Sequence, residues 1–255
     1  MASTNGLPST LAIEAACLTA WPAVAVVHDG GWIWRFAHGY SKRSNSFQSL
    51  DDRDAENAAG RIALLSALSR RHAIEPCFRV TPLAAPAVVE TLDALKWTAF
   101  DESRVLAMPL GRAEMPAGDI RLLNPGDPRW YRAQAGLAGY DARTVETLRT
   151  LLSLIAVETK GIVVYGRDGT PAAAALAVNA NGIAVFLNVV TDRARRRQGF
   201  GRLAMQAALA WTADRGARFA AIQVVADNAP AGNLYEGLGF AEQYRYHYRR
   251  PPGSP

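Results

Sequence analysis

Leu187-Asn188-Val189-Val190-Thr191-Asp192-Arg193-Ala194-Arg195-Arg196-Arg197-Gln198-Gly199-Phe200-Gly201-Arg202 is the stretch on which the reading of this chain turns. Ile183 to Val190 is an apolar run that reads as a strand, and Gly201 to Asp214 reads as a helix. Between them lies a charged loop, with Gly199 and Gly201 where the helix begins. The first N–H groups of a helix have no intrahelical partners and point at whatever sits there. Glycine removes the Cβ that would keep an anion away. The helix dipole and the free donors together favour a phosphate. Arginines add long-range attraction and grip phosphate oxygens two at a time. The segment Arg196 to Arg202 is therefore expected to hold a pyrophosphate, mostly through its main chain.

A loop of this kind also suits other ligands. Gly199-Phe200-Gly201-Arg202-Leu203-Ala204 also fits the dinucleotide pattern G-x-G-x-x-G/A. Eight residues, Thr191 to Gln198, separate the strand end from the first glycine, whereas the Rossmann turn is tight. The chain that remains is too short for a doubly wound sheet, and no G-x-x-x-x-G-K-[ST] loop is present. Arg193, Arg195, Arg196, Arg197 and Arg202 also read as a nucleic-acid patch. Only Phe200 interleaves an aromatic ring, and loop arginines are commonly a solvated face, so no nucleic-acid partner is expected.

Downstream, Asp227-Asn228 precedes a short helix, Pro230 to Glu236, and Gly239 suits its end. Taken alone, Asn228 reads as an N-cap and Tyr235 as a core tyrosine with its hydroxyl tied down.

Taken together, the two segments resemble the GNAT superfamily of acyl-CoA N-acyltransferases. The pattern Q/R-x-x-G-x-G/A is met by Arg196-Arg197-Gln198-Gly199-Phe200-Gly201, and N-x-x-A-x-x-L-Y-E-x-L-G-F is met in full from Asn228 to Phe240. The preceding Thr191-Asp192 is also typical, although Arg193 stands where a proline often follows. The resemblance covers Asp119 to Arg250. It implies an α/β (α+β) fold whose mixed, twisted sheet splays open beside the loop. It implies acetyl-CoA as acyl donor, with Val189, Val190 and Thr191 on the pantetheine arm. Arg196, Arg197, Gln198, Gly199, Phe200, Gly201 and Arg202 would take the pyrophosphate, and Asn228 the pantetheine or the ordering of the splay. Tyr235 would protonate the departing thiolate, since its hydroxyl has a proton to donate. The acceptor is a small-molecule or peptide amine that attacks directly, with no Ser or Cys nucleophile. Many relatives carry Glu or Asp on the strand that ends at this loop, but Ile183-Ala184-Val185-Phe186-Leu187-Asn188 holds none. The general base is left unassigned, and a non-catalytic acyl-CoA-binding sensor stays as the alternative.

Upstream, Leu92-Asp93-Ala94-Leu95-Lys96-Trp97 echoes Tyr235-Glu236-Gly237-Leu238-Gly239-Phe240 at an offset of 143 residues, counted from Leu92 to Tyr235. Both copies end a helix and open a strand. The order of elements before them also repeats: helix (Asp54 to His72; Gly201 to Asp214), strand (Cys77 to Val80; Arg218 to Val225), helix (Ala85 to Lys96; Pro230 to Glu236), strand (Trp97 to Met108; Phe240 to Arg249). We therefore expect tandem GNAT-like repeats. Residues 1–113 form a degenerate N-terminal repeat and 114–255 the catalytic one, joined through the Pro- and Gly-rich Glu114 to Pro128 with a short strand, Ile120 to Leu123, inside it. At the same offset Gly199 falls on Glu56 and Gly201 on Ala58, so one cofactor site is expected. The tract Gly31 to Asn45 is rich in groups that recognise ligands. Arg35, Tyr40 and Arg43 are its candidates for walling an acceptor cleft, against the plainer reading of a strand pair with a solvated end.

Composition sets the outer limits. The 255 residues are 49% hydrophobic and 20% charged, with 28 Lys and Arg against 23 Asp and Glu, a formal charge of +5. That is an ordinary globular balance and only mildly basic. No apolar run reaches the ~18 residues of a membrane helix. Met1 to Ser9 is polar, and no secretory signal is read at the N-terminus. Cys17 and Cys77 are too few for a disulfide scaffold and are expected to be buried, inert thiols in a reducing cytoplasm. His28, His38, His72 and His247 lack ligand spacing, so no metal site is expected. Monomer and homodimer remain equally open.

Overall fold

The computed structural model describes residues 6–254; most of the polar N-terminal stretch, residues 1–5, lies outside the described residues. The chain opens with α1 (Thr10–Ala20), whose N-cap Ser9 accepts from the Ala12 N–H. Next come β1 (Ala25–Asp29), β2 (Trp32–Phe36), β3 (Phe47–Ser49), α2 (Ala58–Arg71), β4 (Phe78–Val80), α3 (Pro86–Ala94) and β5 (Thr98–Pro109). The second half is β6 (Ile120–Leu123), α4 (Pro128–Ala138), α5 (Ala142–Ser153), β7 (Thr159–Tyr165), β8 (Pro171–Ala180), β9 (Ile183–Thr191), α6 (Phe200–Asp214), β10 (Phe219–Val225), α7 (Ala229–Glu236) and β11 (Ala241–Arg250). The helix expected from Asp54 starts four residues later. Asp54 Oδ2 accepts the Gly31 N–H at 2.7 Å, its carboxylate holds Arg61, and Asn57 is left-handed at φ 48°, so no helical turn forms there.

Among the described residues, all eleven strands form one mixed sheet in the order β1-β2-β3-β4-β11-β5-β10-β9-β8-β7-β6. β3 with β4 and β9 with β10 are its parallel pairs. The two halves exchange their last strands: β5 lies between β10 and β11, and β11 pairs with β4 on its other side. α3 and α7 begin 143 residues apart, at Pro86 and Ala229, and β5 and β11 do so at Thr98 and Ala241. In the β5–β11 ladder Ser103 pairs with Tyr246, again 143 residues on, so the two copies face each other across a local pseudo-twofold. The sheet thus runs unbroken across both halves of the chain.

Strand alternation sorts the core into two layers. Val185 and Leu187 of β9, Ala221 of β10 and Tyr244, Tyr246 and Tyr248 of β11 pack with Ile13, Trp130 and Leu148 from α1, α4 and α5. Ala184, Phe186, Ala220 and Ile222 pack the opposite way, with α6 and α7. Trp32, Phe47 and Phe78 form the matching layer under α2 and α3. The period-two tyrosine row of the last strand is therefore core packing, on the α1 face.

Candidate active site where two strands part

β9 and β10 are paired from Ile183↔Phe219 to Phe186↔Ile222 and no further. Beyond that point β9 runs on to Thr191 while held by β8, and β10 runs on to Val225 while held by β5. The strands therefore part, leaving main-chain groups of Leu187 to Thr191 without a ladder on the β10 side. A bulge sharpens the bend. Leu176↔Leu187 is followed by Ala174↔Val190, so β9 carries one extra residue, and Asn188 adopts φ 52°. Its Nδ2 is buried and has no hydrogen-bond partner. Val189, Val190 and Thr191 are partly exposed along this opening.

Gly199 (φ 87°) is the N-cap of α6, and no side chain caps that helix. From Arg196 to Arg202 no main-chain N–H donates to a protein acceptor among the described residues; the ladder of the helix starts with Leu203 N–H to Gly199 O. A Cβ on Gly199 would meet nothing within 4 Å, so that side of the loop is open. Gly201 has another reason: a Cβ there would lie 2.8 Å from Thr191 Oγ1, and its absence lets α6 start against the end of β9. Arg195 braces the loop through Asp168 Oδ2 at 2.6 Å and Thr170 Oγ1 at 2.7 Å. This pairing pulls the Asp168 carboxyl down to about 2. Arg196 and Arg197 are exposed with no acidic partner, and Gln198 Nε2 reaches Ala194 O at 3.5 Å. Arg202 instead donates to Gly237 O at 3.1 Å, which ties α6 to the end of α7.

Asn228 caps α7, Oδ1 accepting from Ala231 N–H at 3.3 Å. Tyr235 is 5% exposed, packed edge-on against Phe240 at 6.1 Å. Its hydroxyl makes no hydrogen bond among the described residues, and burial pushes it up to about 12, so it stays protonated at neutral pH.

The N-terminal tract meets this opening from the α1 face, but its members take different parts. Arg35 is buried; its guanidinium donates to Leu18 O at 3.4 Å and to Trp21 O, capping the C-terminal end of α1, and to Arg43 O at 2.8 Å. Tyr40 packs between Trp21 (5.8 Å) and Tyr140 of the α4–α5 turn (6.2 Å). Arg43 Nε donates to Tyr246 Oη at 3.4 Å, and Tyr246 donates to Gln223 Oε1 at 2.9 Å. Burial pushes the Tyr246 phenol up, but Arg43 and Arg79 beside it leave it below its ordinary value.

A buried carboxylate from the other half also sits here, unassigned by sequence reasoning. Glu14, fully buried, accepts from both Nη atoms of Arg79, from Gln48 Nε2 at 3.1 Å and from Tyr244 Oη at 2.6 Å. Burial pushes its carboxyl up, and these donors, Arg79 foremost, hold it below the usual range. With its oxygens so committed, Glu14 is a poor proton acceptor. Its sequence signal is a lone acid on an apolar helix face, beside strand arginines flanked by large apolar residues, Trp34-Arg35-Phe36 and Phe78-Arg79-Val80. Cys17 and Cys77 are buried thiols, pushed up by burial to about 11 and about 12.

Among the described residues, the N-terminal half shows no equivalent glycine-opened loop before α2. At the 143-residue offset, Ala194 to Gly199 falls on Asp51-Asp52-Arg53-Asp54-Ala55-Glu56. Asp54 and Asp29 are paired to Arg61 at 2.7 and 2.8 Å. The basic, glycine-bearing stretch is thus matched there by an acidic one.

Three known relatives and one family bear on this geometry. A curated relative, the uncharacterized N-acetyltransferase YobR of Bacillus subtilis (strain 168), is 22% identical over 243 residues, covering 93% of this chain and 96% of its own. A GCN5-related N-acetyltransferase from Kribbella flavida superposes with a TM-score of 0.72 at 19% identity, over 96% of each chain. A tandem GNAT protein from the clavulanic acid biosynthesis pathway does so at 0.67 and 16%, over 100% of this chain and 90% of its own. The family described as probable histone acetyltransferase Rv0428c C-terminal matches residues 10–249. With nearly its whole length so matched, and a tandem GNAT fold around the parted strands, the chain belongs to that family of GNAT-type N-acetyltransferases.

Proposed function

We propose that this enzyme transfers an acetyl group from acetyl-CoA to an amine, at one site in residues 114–255, and that residues 1–113 are a degenerate copy walling the acceptor side. The observation that carries the reading is the run of partnerless amides from Arg196 to Arg202, opened by Gly199 beside the gap between β9 and β10. Such a run suits a diphosphate: the donors are fixed in place, and the helix dipole adds to them. Acetyl-CoA supplies the acyl group already activated as a thioester. Gly199, Phe200, Gly201 and Arg202 hold the diphosphate by main-chain N–H groups, with Gln198 completing the turn. Arg196 and Arg197 add charge from the rim. Val189, Val190 and Thr191 offer the free edge of β9 to the pantetheine amides and to the carbonyl oxygen. Asn228 caps α7 and thereby fixes where Tyr235 stands. Tyr235 holds a proton at Oη, kept there by burial, and gives it to the leaving sulfur.

The test is release of CoA thiol from acetyl-CoA with a panel of amines. The panel includes a lysine peptide, because the matched family is described by histone acetylation. Acceptor-dependent release supports the transferase. Tight acetyl-CoA binding with no release on any acceptor would leave an acyl-CoA sensor.

A further inference from the structure

A cavity of about 20 Å³ lies under α1 where β9 and β10 begin to part. It is lined by Leu187 and Gln223, the first residues of each strand past the ladder, and by Arg43 and Arg79. That space is somewhat more than one water molecule needs, so it admits a small polar group at most. Glu14 and Arg35 line it as well, so the charge around it is positive on balance. Arg79 is matched by Glu14, and Arg35 by the carbonyls ending α1, but Arg43 has no acidic partner among the described residues. Arg79 is 3% exposed, and its Nε is buried with no acceptor. Buried donors and charges of this kind are costly unless something accepts from them.

We propose that this cavity binds the carboxylate of the acceptor, held by Arg43 and by Nε of Arg79, so that the preferred substrate is a small amine bearing a carboxylate, of the α-amino-acid type. The inference rests on the acetyltransferase reading above and names its substrate class. The lining places a carboxylate beside the gap between the strands, and an amine one or two carbons away reaches toward the bulge at Asn188. The same positive field already pulls on the Tyr246 phenol. It also works against polycationic acceptors such as basic peptide tails.

The test uses matched pairs that differ by the carboxylate: glycine and methylamine, L-phenylalanine and phenethylamine, L-lysine and cadaverine. The carboxylate member is expected to have a kcat/KM about tenfold to a hundredfold higher. Arg43→Gln should erase that preference by raising KM with kcat nearly unchanged, and Arg43→Lys should restore part of it. Gln223→Glu, which places a rival carboxylate at the cavity without changing its size, should erase it as well. A parental preference near one, or one that survives both Arg43→Gln and Gln223→Glu, overturns the proposal. Calorimetry separates it from the acetyltransferase reading. N-acetylglycine titrated into CoA-saturated protein should bind about tenfold more weakly to Arg43→Gln than to the parent. Arg43-dependent binding without turnover would sink the transferase and keep the pocket. Turnover with no Arg43-dependent binding would do the reverse.

Discussion

Replacing Gly199 by valine separates the cost of the left-handed backbone from the cost to the ligand. The protein contains a built-in control at the other end of the same helix: Gly216 just past α6 sits at φ 77°, Gly199 at 87°, and a Cβ on either meets nothing within 4 Å. A side chain at such φ costs about 1–3 kcal/mol. For a chain of this size that lowers Tm by roughly 2–10 °C, and by a similar amount in Gly199→Val and Gly216→Val. On the proposed reading, only the side chain at Gly199 meets the diphosphate. Losing two charge-assisted hydrogen bonds, each worth about 1.5–3 kcal/mol, gives about 3–6 kcal/mol. That is a Kd for acetyl-CoA weaker by roughly 10²–10⁴-fold. Thermal melts and calorimetry on both variants read the two quantities apart. Equal melting losses together with parental acetyl-CoA affinity in Gly199→Val would refute the placement of the diphosphate.

Tyr235→Phe should lower kcat by about 10²-fold with acetyl-CoA affinity within twofold, and equal turnover would remove the acid role. In the parent, kcat/KM should climb with pH as the amine loses its proton and show no descending limb up to about pH 10, because Tyr235, pushed up to about 12, keeps its own. A descending limb near pH 8 that Tyr235→Phe abolishes would contradict the burial argument. Glu14→Gln should destabilise the fold by about 3–5 kcal/mol at pH 7, since it leaves Arg79 buried without its counter-ion. Glu14 is held below the usual carboxylate range, so its stabilisation is full above about pH 4.5 and fades as pH falls through its folded value. The gap in Tm between parent and variant should therefore narrow below about pH 4.5, and a constant gap down to pH 3 would point to packing alone.

The local half of this structure was legible because local chemistry determines it. Val-rich runs, a helix opened by glycine and a cap at Asn228 each leave their mark within a few residues, and even Ile120 to Leu123 stood out inside a loop-like segment. The exchange of β5 and β11 was not legible. Hydrophobic alternation says which face a strand buries but not which neighbour it takes. The bulge at Asn188 was hidden because an apolar run reads as a continuous strand, and the one clue was an asparagine, which tolerates positive φ, where a carboxylate had been sought. Arg35 read as a ligand-recognising group from composition, whereas it caps α1, a contact that exists only once the helix folds back over the sheet. Arg43 has the same composition signal, but no carboxylate reaches it.

The central claim is that main-chain amides opening α6 grip the diphosphate of the acyl carrier. Backbone amide chemical shifts during a titration with CoA test it most directly. The account predicts the largest displacements in Arg196 to Arg202, with Asp51 to Glu56 in the first half unmoved. Saturable CoA binding that leaves the amides of Gly199, Phe200 and Gly201 in place would contradict it.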